Sequence, residues 1–175
     1  EREQRIKNDS VYDLIVEMMT AMQNVNPNIK FFASPSTLSF AYTNQEKIDI
    51  WGHVDNVPFS CFPSWILHWE QDGTKTMSDG TVVPVWKRGY FDYPALTQYY
   101  ADYLNMMYQK GFDISYLDLS NEQSVITPPI TKYIHDNLPS KLLPGVRMPE
   151  LVVPSTWNVQ GGIDWLDSVN VAENE

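Results

Sequence analysis

Cysteine is almost missing from this chain of 175 residues: Cys61 stands alone, which excludes an internal disulfide framework and reads as a small buried hydrophobe. Positive charge is scarce as well. Lys and Arg number 12 against 22 Asp and Glu, for a net charge of −10, and the cations are scattered along the chain. Neutralising a phosphate backbone needs clustered cations, so nucleic acid is excluded as a partner and a neutral ligand fits better. No apolar run is long enough to cross a membrane. No basic stretch followed by an apolar segment opens the chain, so a signal peptide is either missing from it or already removed, which leaves export open. His53, His68 and His135 have no partner one helical turn away and no neighbouring Cys, so they form no metal-ligand pattern. Neither a metal nor a cofactor is expected.

Large rings and apolar residues are plentiful. Six Trp and ten Tyr help to bring aromatics to 13% of the chain, and apolar residues reach 43%, enough for a substantial core. Many of the rings fall in segments that read as loops. Rings in loops suggest a binding surface, while the remainder pack a core. Asn8-Asp9-Ser10 matches a glycosylation sequon, which carries meaning only if a eukaryote secretes the protein.

Periodicity divides the chain into alternating helices and strands. Val11, Leu14, Ile15, Met18, Met19, Met22 and Val25 form the stripe of a helix with one buried face, with Ser10 as N-cap and an end near Asn26-Pro27. A short strand follows at Ile29–Ala33. A second amphipathic helix runs through Leu96, Tyr99, Tyr100, Tyr103, Leu104 and Met107, entered through Pro94 and closed by Gly111. A second strand spans Ile114–Leu119, a third helix Pro129–Leu138, a third strand Glu150–Val153, and a last helix begins at Gly162 with Trp165 inward. Between these, about residues 36–92 read as one long loop insertion, with a hairpin whose turn is Ser78-Asp79-Gly80 between Lys75–Met77 and Thr81–Val85. The alternating order implies parallel strands joined by crossovers, either a doubly wound sheet or a barrel. A doubly wound nucleotide-binding domain predicts a Gly-rich turn after its first strand, and none follows any strand here.

Three strand ends carry a resemblance. Phe31-Phe32-Ala33-Ser34-Pro35 is one; the helix Tyr99-Tyr100-Ala101-Asp102-Tyr103-Leu104, then Lys110-Gly111-Phe112-Asp113-Ile114 and Leu119-Ser120-Asn121-Glu122 is the second; Val153-Pro154-Ser155-Thr156-Trp157 with Gly161-Gly162-Ile163-Asp164-Trp165-Leu166 is the third. In this order they resemble the clan A glycoside hydrolases, family thirty in particular, which includes glucosylceramidase-like, xylanase-like and galactanase-like enzymes. The likeness extends from about Val11 to Val169. Gln123 stands where the family has Pro, and the segment after Ser34-Pro35 departs from the family until a partial echo at Phe62-Pro63-Ser64-Trp65-Ile66.

The resemblance implies an α/β fold of the (β/α)8 TIM-barrel type, with residues 1–175 forming one partial barrel domain that covers about strands 3 to 5. It implies a retaining hydrolase of β-linked glycans, secreted or extracytoplasmic, with Glu122 as acid/base. In such enzymes two carboxyl groups about 5–5.5 Å apart divide the work: one protonates the leaving oxygen and later activates water, the other attacks the anomeric carbon. Partial burial and a negative neighbour would raise the pKa of Glu122 for that task. Asn121 would bond the sugar 2-OH. The family's nucleophile lies on a seventh strand, outside this chain, so the remainder of the barrel or a partner chain is expected. Asp118, on the strand itself and about 13 Å from Glu122 by strand rise, reads as a buried, partnered structural residue. Trp157, Trp65, Trp69 and Trp86 are candidate platforms for a pyranose ring in a carbohydrate substrate. The alternative from another class is a non-catalytic glycan-binding or scaffolding protein derived from a glycosidase barrel.

Overall fold

A computed structural model describes residues 10–35, 66–121, 126–154, 156 and 158–172, with backbone alone at 10–11, 67–72, 83–90 and 170–172. Helix α1 spans Ser10–Val25, so Ser10 lies inside the helix and is not its cap. Pro27 stops it, and the chain turns through hydrogen bonds from Asn26 N–H to Met22 O and from Ile29 N–H to Asn26 O. Strand β1 is Phe31–Ala33. Strands β2, Leu67–Thr76, and β3, Val82–Phe91, follow. Then come helix α2, Tyr93–Gln109, strand β4, Ile114–Asp118, helix α3, Pro128–Asn137, and a short 3-10 turn at Leu138–Lys141. Strand β5, Glu150–Val152, and helix α4, Val159–Ala172, complete the order.

The caps explain the best-defined helix. Asp92 precedes α2 in extended conformation and its carboxylate accepts the Ala95 N–H at 2.8 Å, which satisfies one of the free N–H groups of the first turn. At the other end Gly111 takes φ +93, the left-handed geometry that closes a helix and that glycine adopts without strain. Its N–H bonds Tyr108 O while Phe112 N–H reaches Met107 O, and β4 starts two residues on.

The protein is mixed α/β, with a three-stranded parallel sheet in the order β1-β4-β5. Ala33 lies opposite Leu117, and Leu117 opposite Leu151; Phe32 lies opposite Tyr116, and Tyr116 opposite Glu150. Side chains alternate across a strand, so these two rows belong to opposite faces. The first row joins the main core with Phe31, with Leu104 and Met107 of α2, and with Ile130 and Ile134 of α3. The second row faces away from that core. Phe32 is 58% exposed, and Lys30 Nζ donates to Tyr116 Oη at 3.2 Å and stands 5.4 Å from the ring centre.

Two expectations need correction. Residues 67–91 form a long antiparallel ribbon, β2 paired with β3: the hairpin expected about Ser78-Asp79-Gly80 is present at its tip, but the remainder, expected as loop, is strand. Gly80 N–H bonds Met77 O and Met77 N–H bonds Thr81 O, while Gly80 at φ +87 supplies the left-handed residue of a three-residue hairpin loop. The base of the ribbon enters the core through Ile66 and Phe91, tied by Asp92 N–H to Ile66 O at 3.1 Å. The second correction concerns α1. Met19 is buried and Ile15 and Val16 are partly so, but Leu14, Met18, Met22 and Val25 are exposed. Its apolar stripe is wider than the surface that the described residues offer it.

Candidate functional site

The C-terminal ends of β1, β4 and β5 lie side by side, because the three strands are parallel and adjacent. Strand β1 runs into Ser34, β4 into Leu119, Ser120 and Asn121, and β5 into Val153 and Pro154, joined by a cis peptide bond. In α/β architectures this rim is where chemistry concentrates.

Asp118 organises the central end. It is the last residue of β4 and is 3% exposed. Its Oδ1 accepts the Ser120 N–H at 3.1 Å, and its Oδ2 accepts the Asn121 N–H at 3.1 Å and the Ser34 hydroxyl at 2.7 Å. A buried carboxylate is tolerated when hydrogen bonds replace its hydration, and the expected buried, partnered role holds. Glu122, the other end of the expected separation of about 13 Å, lies outside the described residues. The chain ceases to be extended after Asp118 and turns back, so the backbone of Asn121 lies against the Asp118 carboxylate instead of three strand steps away.

Asn121 itself has φ +32, a left-handed conformation uncommon outside glycine and most readily accepted by Asn and Asp. Two residues earlier, the buried hydroxyl of Tyr100 on α2 donates to Leu119 O. The segment 118–121 is thus held from β1 by Ser34, from α2 by Tyr100 and from within by its own carboxylate.

At the end of β5, Asn158 caps α4: its Oδ1 accepts the Gly161 N–H at 2.8 Å and its backbone O accepts the Thr156 hydroxyl at 3.0 Å. The helix therefore starts at Val159, before the Gly161-Gly162 pair that suggested a later beginning. Trp165 is half-buried, and its Nε1–H donates to Ile126 O at 2.7 Å.

Among the candidate site residues, Asn121 is placed at the strand end as described. Glu122, Trp157 and Trp65 lie outside the described residues, as does Cys61. Trp69 and Trp86 belong to the ribbon, Trp86 opposite Gln71 and Trp69 in the irregular step between His68 and Glu70; their side chains are outside the described set. The sequence reading did not single out Ser34 or Tyr100 as partners of the strand end. Ser34 shares strand parity with Phe32, but its contact with Asp118 depends on the register of two strands far apart in sequence.

No family model, curated protein or solved structure matches this chain.

Among the described residues no group of three or more His, Cys, Asp and Glu side chains is arranged to hold a metal ion, and no helix is long and apolar enough to cross a membrane. A cavity of about 950 Å3 opens at the opposite end of the sheet, among Ile29, Lys30, Asp113, Ile114, Arg147 and Glu150. Arg147 bridges to Asp113 there at 3.0 Å. Both side chains are exposed enough for solvent to weaken the pair. That cavity sits at the strand beginnings, away from Asn121.

Proposed function

We propose that this chain is part of a (β/α) barrel hydrolase that cleaves β-linked glycans with retention of configuration, with Glu122 as the acid/base. One observation carries the reading. The residue immediately before Glu122 stands at the C-terminal end of the central parallel strand, in a left-handed conformation held by a buried carboxylate. Unfavourable backbone geometry that the surroundings enforce clusters at functional sites.

The barrel part of the proposal draws support from what the sheet leaves uncovered. The parallel strands stand in chain order, as neighbouring barrel strands do. The helices flanking the two edge strands each expose an apolar stripe: Leu14, Met18 and Met22 on α1, and Val159, Ile163 and Leu166 on α4. Phe32 does the same on the face away from the helices. Contiguous exposed apolar surface calls for a covering partner, and further β/α units would cover all three places. The nucleophile belongs to those units.

In this reading Glu122 gives its proton to the departing glycosidic oxygen and then takes one from water, while the second carboxylate forms and loses the glycosyl bond. Asn121 bonds the sugar 2-OH, a contact that strengthens as positive charge develops on the ring. Trp157, Trp65, Trp69 and Trp86 are the ring platforms, and the protein works outside the cytoplasm, where β-linked polymers are met.

The test is Glu122→Gln in the full-length protein. Hydrolysis of β-glycosides with poorly activated leaving groups should fall far more than that of activated aryl glycosides, with substrate binding retained. Equal loss on both substrates, or loss of binding in parallel, contradicts an acid/base role. Binding of β-glycans by a wild type that never turns them over would favour a non-catalytic glycan-binding protein.

A further inference from the structure

We infer that Asp118 and Ser34 form a positioning pair that sets the geometry of Asn121; the inference rests on the glycosidase reading above. Both oxygens of the Asp118 carboxylate are engaged, Oδ1 by Ser120 N–H and Oδ2 by Asn121 N–H and the Ser34 hydroxyl. A carboxylate is acceptor-only, so it can take two backbone N–H groups and a hydroxyl at once, which no neutral side chain of the same size can do. Hydrogen bonds to an ionised acceptor are also about twice as strong as neutral ones.

Burying a charge at the end of a strand is an expensive way to fill space. What it supplies is direction. Two consecutive N–H groups bound to one carboxylate fix the peptide planes on both sides of Ser120, and that fixes where Asn121 departs from the sheet. The φ of +32 at Asn121 is the consequence, since such a conformation persists only when neighbouring contacts determine it. Ser34 completes the device. It directly follows β1, the adjacent strand, and its hydroxyl donates to Oδ2, so the rotation of the carboxylate depends on the end of β1.

Asp118 is not itself a catalytic residue in this account, because it is buried and its oxygens are occupied. It acts through Asn121. A displacement of about 1 Å at a reacting group can cost on the order of 100-fold in rate, which is the scale on which a loosened turn would register.

The experiment compares Ser34→Ala, Ser34→Thr and Asp118→Asn in the full-length protein, with two readouts. Amide hydrogen exchange at Ser120 and Asn121 reports the brace itself. Steady-state kinetics on β-glycosides of poor and good leaving group report its catalytic effect. Ser34→Ala should accelerate exchange at Asn121 and reduce kcat on the poor leaving group by about 10- to 100-fold, with KM little changed, and Ser34→Thr, which keeps the hydroxyl, should restore both. Asp118→Asn should do the same more severely. If that variant does not fold, the Ser34 pair of variants decides alone. Wild-type exchange and kinetics in Ser34→Ala, or a loss that Ser34→Thr does not restore, overturn the positioning role while leaving the glycosidase reading intact. A wild type without turnover overturns the glycosidase reading and, with it, this role.

Discussion

Tyr100→Phe removes one oxygen atom and nothing else, at a point where α2 holds the end of the central strand. Tyr100 is 2% exposed and its hydroxyl donates to the carbonyl of Leu119, which is 0% exposed. The ring stays in place, including its edge-on contact with Tyr99 at 5.4 Å, so no cavity opens. The magnitude is the difference between a made and an unmade buried hydrogen bond. A typical bond contributes about 0.5–1.5 kcal/mol net, and a buried acceptor left alone costs about 1–3 kcal/mol. The expected loss is therefore about 2 kcal/mol, equivalent to a fall in Tm of about 4–8 °C for a chain of this size. Tyr100→Ala, which adds a cavity, should lose about 3–5 kcal/mol. Urea unfolding followed by circular dichroism measures both, and the slope m should be the same in wild type and Tyr100→Phe. A Tyr100→Phe midpoint within about 0.5 kcal/mol of wild type, the range of an ordinary surface change, would refute the claim that α2 fixes the strand end through Leu119.

Trp165→Phe should lower stability by about 1 kcal/mol, because the bond from Nε1–H to Ile126 O is lost while most of the ring's packing remains; thermal melts check it, and an unchanged Tm opposes it. Tyr103, whose hydroxyl burial and then the neighbouring Tyr12 push up to about 12, should be a late-ionising tyrosine in an ultraviolet titration. Its folded pKa lies above the unfolded value, so its share of stability is present below the usual 10.0 and is lost as pH rises towards 12. Tyr103→Phe should flatten that alkaline decline. On the exposed face of α3, His135 first and Lys132 second hold the Asp136 carboxyl below its ordinary 3.8. That small contribution exists above 3.8 and disappears as pH falls through the lowered value, so the difference between wild type and Asp136→Asn should vanish in strong acid and shrink in high salt.

How far the sequence could be read follows from which interactions are local. Helix α2 was legible in both position and buried face, because its stripe, Pro94 at its start and Gly111 past its end each act on the turn next to them. The three short parallel strands were also legible, as apolar runs between helices. Beyond the expected hairpin, the ribbon was not. Leu67–Thr76 contains a glycine and few apolar residues, and its pairing with Val82–Phe91 shifts register between His68 and Glu70 and again between Gln71 and Thr74, which interrupts the two-residue alternation that marks a strand. For α1, periodicity identified residues that share a face, but not how much of that face has cover: Met19 is buried while Leu14 and Met18 are exposed. At the candidate site, the spacing from Ile114 to Glu122 gave Asn121 its place at a strand end. The brace was beyond reach, because Ser34 and Asp118 are 84 positions apart and meet only once β1 and β4 are in register.

Proton NMR of the sugar released during the first moments of hydrolysis of a β-glycoside by the full-length protein tests the central claim most directly. The account predicts that the β-anomer appears first and only later equilibrates with the α-anomer, and that Glu122→Gln suppresses its formation from poorly activated substrates. Release of the α-anomer first, or no release from any β-glycoside by the folded wild type, would contradict it.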